Sequence, residues 1–270
     1  MTITVHFVNV GQGNMQVIIF PDNFVMVYDC NITNDNEERV FDYLGKIMPK
    51  SEIDLFVNSH RDADHMRGIK KLHFRFPIQM LWDTEIPGNT ETPEYQEYMD
   101  FRRSMGSNIA IAKPNHHLKS KPYVRILNGA REGLNEPNAQ SIVLHIDYNG
   151  SSVLLTGDTD ALVWKDYIIP ENGDSVKSSV LLASHHGSKS FIDHDSYQNY
   201  YTEHLQKINS AFTIISVGEN PHGHPDEVTI KYYEKYTSGG NNGKKIFTTQ
   251  DHGNIKVELT GNGACSINYN

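Results

Sequence analysis

The sequence predicts a mixed α/β fold, and three observations support this. Short runs rich in Val, Ile and Phe alternate with turn residues, which is typical of β-strands. Other segments, such as residues 37–48, have apolar residues at helical spacing. Four of the predicted strands end in a loop that carries Asp or His, and layered α/β folds gather their ligands at strand ends. We therefore expect a functional site at one edge of a sheet.

The predicted elements follow one another along the whole chain. The first part has strands at residues 4–10, 16–20, 24–28 and 53–58, with a helix at 37–48. Residues 69–121 give a mixed signal, with an aromatic segment at 74–82, a helix at 92–105 and a strand at 108–113. The last part has a hairpin at 141–147 and 152–156, strands at 180–183, 211–217, 245–249 and 254–259, and a helix at 228–236.

Length and composition indicate a soluble globular protein. The 270 residues are 38% hydrophobic and 21% charged, and no Pro/Gly/Ser linker or internal repeat divides them. We predict a single domain over residues 1–270, in which 69–121 is a variable insertion region. The net charge of -9, without a basic run, argues against tight binding to duplex nucleic acid.

The cysteines and the first residues favour a cytoplasmic protein. Cys30 and Cys265 lie far apart, so we expect reduced thiols rather than a disulfide framework. No signal peptide is visible, and no run approaches the ~18 apolar residues of a membrane span. We expect no membrane association. The oligomeric state is left open, with a homodimer as one option.

The segment after the predicted strand 53–58 concentrates groups that bind metals. His60, Asp62, Asp64 and His65 place two His and two Asp within six residues. Such groups are costly to bury unpaired, whereas a cation neutralises the carboxylates and takes up the imidazole lone pairs. The alternative is a solvated polar loop. The 14 His of the chain suit a metal protein.

Later strand ends carry further candidates, which favour the metal site over the solvated loop. Asp158 follows the strand 152–156, His185 and His186 follow 180–183, and His224 follows 211–217. Adjacent residues point apart, so one of His185 and His186 is expected to bind metal while the other contacts substrate. The sequence does not decide which.

Five motifs, in order, carry a family resemblance. They are residues 8–14 (VNVGQGN), the His/Asp segment 60–65, residues 154–158 (LLTGD), residues 185–188 (HHGS), and residues 216–218 (SVG) with 223–225 (GHP). Over about residues 3–260 the chain resembles the metallo-β-lactamase superfamily, and more narrowly the metallo-β-lactamase domain of the DNA-uptake channel protein ComEC. The channel's membrane segments are absent, so the resemblance implies a free-standing relative.

This resemblance implies a four-layer αββα sandwich that holds two divalent metal ions, Zn²⁺ with Mn²⁺ as the other option. His60 and Asp62 would face the first metal, Asp64 and His65 the second, and Asp158 would bridge both. His224 would be the second metal's remaining ligand or a transition-state contact. Most relatives have His at the position of Asp62, so this harder ligand leaves the preference of the first site between zinc and manganese open. An acid at Asp29 would orient a ligand.

The third His of the first site has no clear counterpart. Asn138 lies nearest to its expected position, within an Asn-and-Ser segment of the ComEC-like type at residues 135–141. His116, His117 and His145 are weaker candidates, since a packed or exposed role is commoner for such residues. The first site is therefore incomplete or is completed by His185 or His186.

The implied activity is hydrolysis by a hydroxide that bridges two metals, with Asp64, His186 and His224 as the catalytic candidates. We expect a phosphodiesterase or nuclease-like enzyme acting on single-stranded nucleic acid or a small-molecule nucleotide. One alternative is a hydrolase of a small ester, thioester or lactam. Another is a non-catalytic metal-binding regulatory module, and iron-based redox chemistry is a minor option.

Overall fold

Two β-sheets form the centre of the protein in this computed structural model, which describes residues 1–118, 121, 123–193, 199–239 and 243–269. The first sheet has the strand order β15-β14-β1-β2-β3-β5-β6-β7. Its strands are β1 (Thr2–Phe7), β2 (Gln16–Ile19), β3 (Val25–Tyr28), β5 (Leu55–Val57), β6 (Leu81–Asp83), β7 (Ile109–Ile111), β14 (Ile255–Thr260) and β15 (Cys265–Tyr269). A short strand β4 (Cys30–Asn31) bridges to residues 66 and 67.

The second sheet has the order β13-β12-β11-β10-β9-β8. Its strands are β8 (Val124–Asn128), β9 (Val143–Tyr148), β10 (Ser151–Leu155), β11 (Val180–Leu182), β12 (Phe212–Ile215) and β13 (Ile246–Thr248). Strands β10 to β13 are parallel neighbours, whereas β8, β9 and β10 are antiparallel. In the first sheet β3, β5, β6 and β7 are likewise parallel.

Helices cover the outer faces of both sheets. They are α1 (Glu37–Ile47), α2 (Ala63–Met66), α3 (Ile69–Arg75), α4 (Pro93–Met105), α5 (Ala161–Val163), α6 (Ile169–Asn172), α7 (Glu203–Ile208), α8 (Glu227–Tyr236) and α9 (Thr249–His252). A π-turn lies at Trp164–Ile168, and short 3₁₀ turns lie at Gly106–Asn108, Gly173–Val176, Ser184–Gly187 and Lys189–Phe191. Among the described residues, no helix is long and apolar enough to cross a membrane.

Alternation along the strands explains the four layers. In β1, Ile3, Val5 and Phe7 point between the two sheets, where they pack with Leu144 and Leu182 of the second sheet. A second apolar cluster packs α1, α3 and α4 on the outside of the first sheet, and a third packs α7 and α8 on the outside of the second. The αββα sandwich is therefore confirmed.

The predicted elements agree with the structure in type, and differ mainly at their ends. The first strand ends at Phe7 rather than residue 10. The elements that were not predicted are strands β4, β6, β8 and β15 and helices α2, α3, α5, α6, α7 and α9. A single domain over residues 1–270, with its variable region 69–121, stays a prediction, and its residues 119, 120, 122, 194–198, 240–242 and 270 lie outside the described part of the chain.

A buried imidazole beneath the second sheet's helices predicts acid sensitivity. His204 is fully buried and stacks on Tyr201, with ring centroids 5.1 Å apart, and neither of its ring nitrogens has a hydrogen-bond partner among the described residues. Burial lowers the pKa of His204 from 6.5 to about 3. Between these values the unfolded chain binds a proton that the folded chain does not, so falling pH favours unfolding.

We expect His204→Leu to remove this part of the acid sensitivity. At pH 5 the buried imidazole costs about 2 kcal/mol of stability relative to neutral pH, since each pKa unit corresponds to about 1.4 kcal/mol. Urea unfolding at pH 7 and pH 5 measures the difference. His116→Leu is the matched control, because His116 is exposed. Equal acid destabilisation of wild type and His204→Leu would contradict the assignment.

Candidate metal centre

The parallel strands deliver the predicted site residues to one edge of the sandwich. His60 follows β5, and Asp64 and His65 lie in α2, which begins directly after Asp62. Asp158 follows β10 across Gly157, and residues 185 and 186 follow β11. Because β10 and β11 are parallel, their carboxyl ends lie side by side at this edge.

Gly157 allows the close approach that brings Asp158 to the first sheet. Its φ is +54°, and a Cβ there would lie 2.8 Å from the Ser141 Cβ and 3.1 Å from the Ser59 Cβ. Ser141 also accepts a hydrogen bond from the Asp158 backbone N–H through its Oγ, at 3.0 Å. The loop after β10 is thus packed directly against the loop that carries His60.

Two overlapping groups of ligand atoms result. In the first, atoms of His60, His65 and Asp158 lie within 4.8 Å of one another, and in the second the same holds for Asp64, His65 and His186. Asp158 belongs to the first group, and its two carboxylate oxygens lie near different imidazoles. Its Oδ1 lies 3.2 Å from the His65 Nε2, and its Oδ2 lies 3.6 Å from the His60 Nε2.

The remaining predicted residues lie around these groups. Asp62 Oδ2 is 3.5 Å from the His60 Nε2. His185 Nε2 is 3.6 Å from the Asp158 Oδ2, and 29% of the His185 side chain is exposed. His224 belongs to neither group, and its ring lies 5.4 Å from that of His185, centroid to centroid.

Hydrogen bonds hold each imidazole with its Nε2 toward the centre. The Nδ1 of His65 donates to Asp29 Oδ2 at 2.8 Å, and the Nδ1 of His186 donates to the Ser216 carbonyl at 2.8 Å. The Nδ1 of His60 lies 3.0 Å from the Ser59 Oγ. An imidazole fixed in this way presents the Nε2 lone pair to a cation, as second-shell partners do in metal sites.

The buried atoms without partners fit a metal. The Nε2 atoms of His60, His65 and His186 and the Oδ1 of Asp158 are all buried, and none of them forms a hydrogen bond within the described residues. Buried polar groups are normally satisfied, and orphans that point at one place suggest an ion. Imidazole and carboxylate are also the donor types that zinc and manganese accept.

Charge is strongly coupled across the site. Although burial opposes ionisation, the imidazoles of His65, His185 and His60 hold the pKa of Asp158 well below its usual range. Against the opposing effect of burial, Asp158 and Asp29 raise the pKa of His65 well above its usual value. Burial lowers the pKa of His185 despite the nearby Asp158. The clustered carboxylates therefore attract positive charge to the centre.

Residues 185 and 186 adopt the left-handed region, with φ values of 50° and 54°. This conformation is uncommon for residues other than glycine and occurs at functional sites. It separates the two rings, so that the His186 Nε2 lies 3.1 Å from the Asp64 Oδ2 while His185 faces the exposed side. His186 is thus the buried residue of the pair and lies in the group with Asp64 and His65, and its role as the metal ligand stays a prediction.

Other predicted candidates lie away from the centre, and some contributors were not predicted from the sequence. His145 lies in β9, between Arg125 and the Lys177 carbonyl, and residues 116 and 117 are exposed. Ser59 and Ser141 had no assigned role. Ser141 belongs to the Asn-and-Ser segment at residues 135–141, which was the one signal that pointed to it.

Comparisons with solved structures agree with this architecture. The metallo-β-lactamase fold protein YhfI from Bacillus subtilis is similar with a TM-score of 0.54 and 13% identity, over 93% of this chain and 98% of YhfI. Igni18, a metallo hydrolase from the archaeon Ignicoccus hospitalis, gives a TM-score of 0.56 and 14% identity over 95% and 98%. A diphosphatase of the PhnP family gives 0.51 and 11% over 96% and 99%.

These identities show the fold and not the activity. No protein-family profile and no curated protein matches the sequence. The coverage of more than nine-tenths of both chains nevertheless agrees with motifs that extend over most of the sequence. The chain therefore has the metallo-β-lactamase fold, with its clustered His and Asp residues at one edge of the sandwich.

Proposed function

We propose that the protein is a metal-dependent hydrolase that binds two divalent cations. The supporting observation is the position of Asp158, whose two carboxylate oxygens lie near different imidazoles, at 3.2 Å from the His65 Nε2 and 3.6 Å from the His60 Nε2. A carboxylate whose two oxygens face different imidazoles suits a pair of cations better than a single ion. Two such cations, when bound, activate water and stabilise charge on the attacked and leaving oxygens.

The two sites differ in their ligands. Asp64, His65, His186 and the Oδ1 of Asp158 would hold the second cation, in a largely buried setting. His60, Asp62 and the Oδ2 of Asp158 would hold the first cation, with His185 beside them. Since the first site has fewer imidazoles and more carboxylate oxygen, we expect zinc at the second site and either zinc or manganese at the first.

The exposed side of the centre would contact the substrate. His185 and His224 lie there with ring centroids 5.4 Å apart, and His224 lies in turn 5.9 Å from His222. We propose that His185 and His224 bind and orient the substrate, and that one of them donates a proton to the leaving group. Asp64 and His186, which the sequence also marked as catalytic, would act as cation ligands.

The proposed substrate is a phosphodiester, in a nucleotide or in single-stranded nucleic acid. The motif order that resembles the ComEC domain supports this choice, and one neighbour of the same fold is named as a diphosphatase. The net charge of -9 favours a small substrate, because long-range attraction of a polyanion would be weak. We therefore rank a nucleotide above a long strand.

Side-by-side turnover tests this function. Protein stripped with a chelator and reloaded with Zn²⁺ or Mn²⁺ is given bis(p-nitrophenyl) phosphate, a single-stranded oligonucleotide and a thioester chromogen. Release of nitrophenol that depends on added metal supports the phosphodiesterase. Turnover of the thioester alone would contradict the phosphodiesterase and support a hydrolase of small esters or thioesters.

A regulatory module without turnover is the second candidate, because only one imidazole other than the shared His65 belongs to the first group. Metal counting on the purified protein separates the candidates. Two bound equivalents per chain agree with the hydrolase, and one equivalent without turnover agrees with the module.

Metal loading should depend steeply on pH. In the metal-free protein the pKa values of His65 and His186 are raised against the effect of burial, chiefly by Asp158. These imidazoles therefore keep a proton to higher pH than a free imidazole does, and they must lose it to bind a cation. We expect the affinity for Zn²⁺ to rise by about tenfold per pH unit for each proton released, between pH 6 and pH 7.

Calorimetry in buffers of different ionisation enthalpy counts these protons directly. An affinity that does not change with pH, with no buffer-dependent heat, would contradict the role of these two residues as ligands. Zinc titration of a variant with His252→Gln is the matched control, since His252 lies on α9 rather than in either ligand group.

A further inference from the structure

A buried carboxylate outside the metal groups collects three donors. Asp83 ends β6 and is fully buried. Its Oδ2 accepts from the Arg61 Nη2 at 2.7 Å, from the Arg102 Nε at 2.8 Å and from the Tyr98 hydroxyl at 3.0 Å. Arg61 is itself only 3% exposed. The cluster thus joins the metal loop, through Arg61, to the variable region that contains the other three residues.

Stability alone is a weak explanation for this cluster. Burying charges costs several kcal/mol per ion, and well-packed apolar residues often do as well as a buried ion pair. What a guanidinium hydrogen-bonded to a carboxylate provides instead is defined geometry, because the planar donors fix its direction. Arg61 is further fixed by its Nη1, which donates to the Glu85 carbonyl at 3.2 Å.

The fixed residue lies between two proposed ligands. Arg61 separates His60 from Asp62 in the chain, so its backbone sets the direction of both neighbours. The variable region also packs on this backbone, since a Cβ on Gly88 would lie 2.0 Å from the Arg61 carbonyl oxygen and 3.0 Å from the Asp62 Oδ1. The ligand loop is therefore held by its side chain on one side and by residue 88 on the other.

The second site has a separate support. The His65 ring is held by Asp29, and its carbonyl accepts from the Asn58 side chain at 3.1 Å. The His186 ring is held by the Ser216 carbonyl. None of these contacts involves Asp83. Loss of the Asp83 cluster should consequently affect the two sites unequally.

We propose that Arg61 and Asp83 are positioning residues for the first metal site, which keep His60 and Asp62 directed at the Asp158 Oδ2. This inference rests on the proposed two-metal function. It assigns a role to the variable region, whose strand β6 and helix α4 supply the carboxylate and two of its donors. The first site is the one that needs such support, because it has few imidazoles and 39% of the Asp62 side chain is exposed.

The test is zinc titration of wild type and Asp83→Asn by calorimetry, with metal counting after dialysis. We expect two equivalents in wild type, and in the variant a first-site affinity lower by about tenfold or more, as for other outer-shell changes. Second-site affinity should stay within about twofold. Asp100→Asn is the matched control, because Asp100 lies on α4 with Tyr98 and Arg102 but forms an exposed pair with Lys70 of α3.

A double variant separates positioning from stability. Asp83→Asn leaves the Arg61 charge buried without its carboxylate, whereas Arg61→Met with Asp83→Asn removes that charge. Arg102 keeps Glu85 as a partner in both, at 3.0 Å. We expect the double variant to regain thermal stability while its first-site affinity stays low. If first-site affinity returns together with stability, the pair is only a stability element and the inference is wrong.

The other possible results also test the positioning role of Arg61 and Asp83. Wild-type-like affinity at both sites in Asp83→Asn, or an equal loss at both sites, overturns the positioning role while leaving the two-metal proposal in place. A wild type that binds one equivalent or none overturns the two-metal proposal together with this inference. If Asp83→Asn does not fold, zinc titration and metal counting on the double variant give the same test.

Discussion

Asp158→Asn should lower hydrolysis by on the order of a thousandfold, as expected when a group that stabilises transition-state charge is removed. Asparagine has the same shape, so the loss would come from charge. In the wild type, one oxygen of the buried Asp158 carboxylate lies near the His65 imidazole and the other lies near the His60 imidazole. Without it, both cations lose a ligand and their mutual repulsion is less well screened.

Metal counting and kcat/KM for a chromogenic phosphodiester measure this effect. We expect fewer than two equivalents of bound metal and no recovery of kcat at high metal concentration. Asp160→Asn is the matched control two residues along the chain. Asp160 caps α5, where its side chain accepts from the Val163 N–H at 3.0 Å, and asparagine is an equally good cap. Wild-type activity in Asp158→Asn would refute the two-metal site.

The sequence predicted the residues of this centre because strand ends are local features. The apolar run before His60 and the one before Asp158 mark two strands that carry ligands. In both cases the polar residue follows within a few positions, so local pattern and topology suffice to place it at the sheet edge. The four layers were expected from the family resemblance, and the alternation in β1 and β14 agrees with them, because it shows which side chains face the partner sheet.

Which ring nitrogen of each site histidine faces the centre, and which rotamer its side chain adopts, depends on contacts that are distant in sequence. The His186 ring is set by a carbonyl on residue 216, and the Asp158 loop is set by Ser141. The positive φ of His185 and His186 could not be predicted from the sequence either, since histidine rarely adopts it and no neighbouring residue indicates it. These details follow from packing between the two sheets, which propensity and periodicity do not encode.

The insertion was harder to predict for a related reason. Asp83 follows the apolar pair Leu81-Trp82 and looks like one more strand-end acid of the kind that binds metal. Its partners Arg61, Tyr98 and Arg102 lie 15 to 22 residues away. Only the folded arrangement shows that this carboxylate binds guanidinium groups instead of a cation.

Asp29→Asn should weaken metal binding by about ten- to a hundredfold, the range found for outer-shell partners of ligating histidines. Asp29 is fully buried and accepts from the Ser59 backbone N–H at 2.6 Å, from the Ser59 hydroxyl at 2.7 Å and from the His65 Nδ1 at 2.8 Å. Its φ of 58° is one that asparagine tolerates, so the backbone should stay in place.

The expected loss comes from the imidazole of His65, which both ligand groups share. A neutral amide holds the Nδ1–H less firmly than a carboxylate, so the Nε2 is both less basic and less well oriented. Zinc affinity should therefore fall chiefly at the second site, which His65 would help to hold, and kcat should recover largely at saturating metal, because Asp29 does not reach the substrate side. Asp54→Asn is the control, since Asp54 accepts the Val25 N–H at 2.7 Å just before the start of β5. Unchanged zinc affinity in Asp29→Asn, or an equal loss in Asp54→Asn, would show that orientation of His65 is not what this buried carboxylate provides.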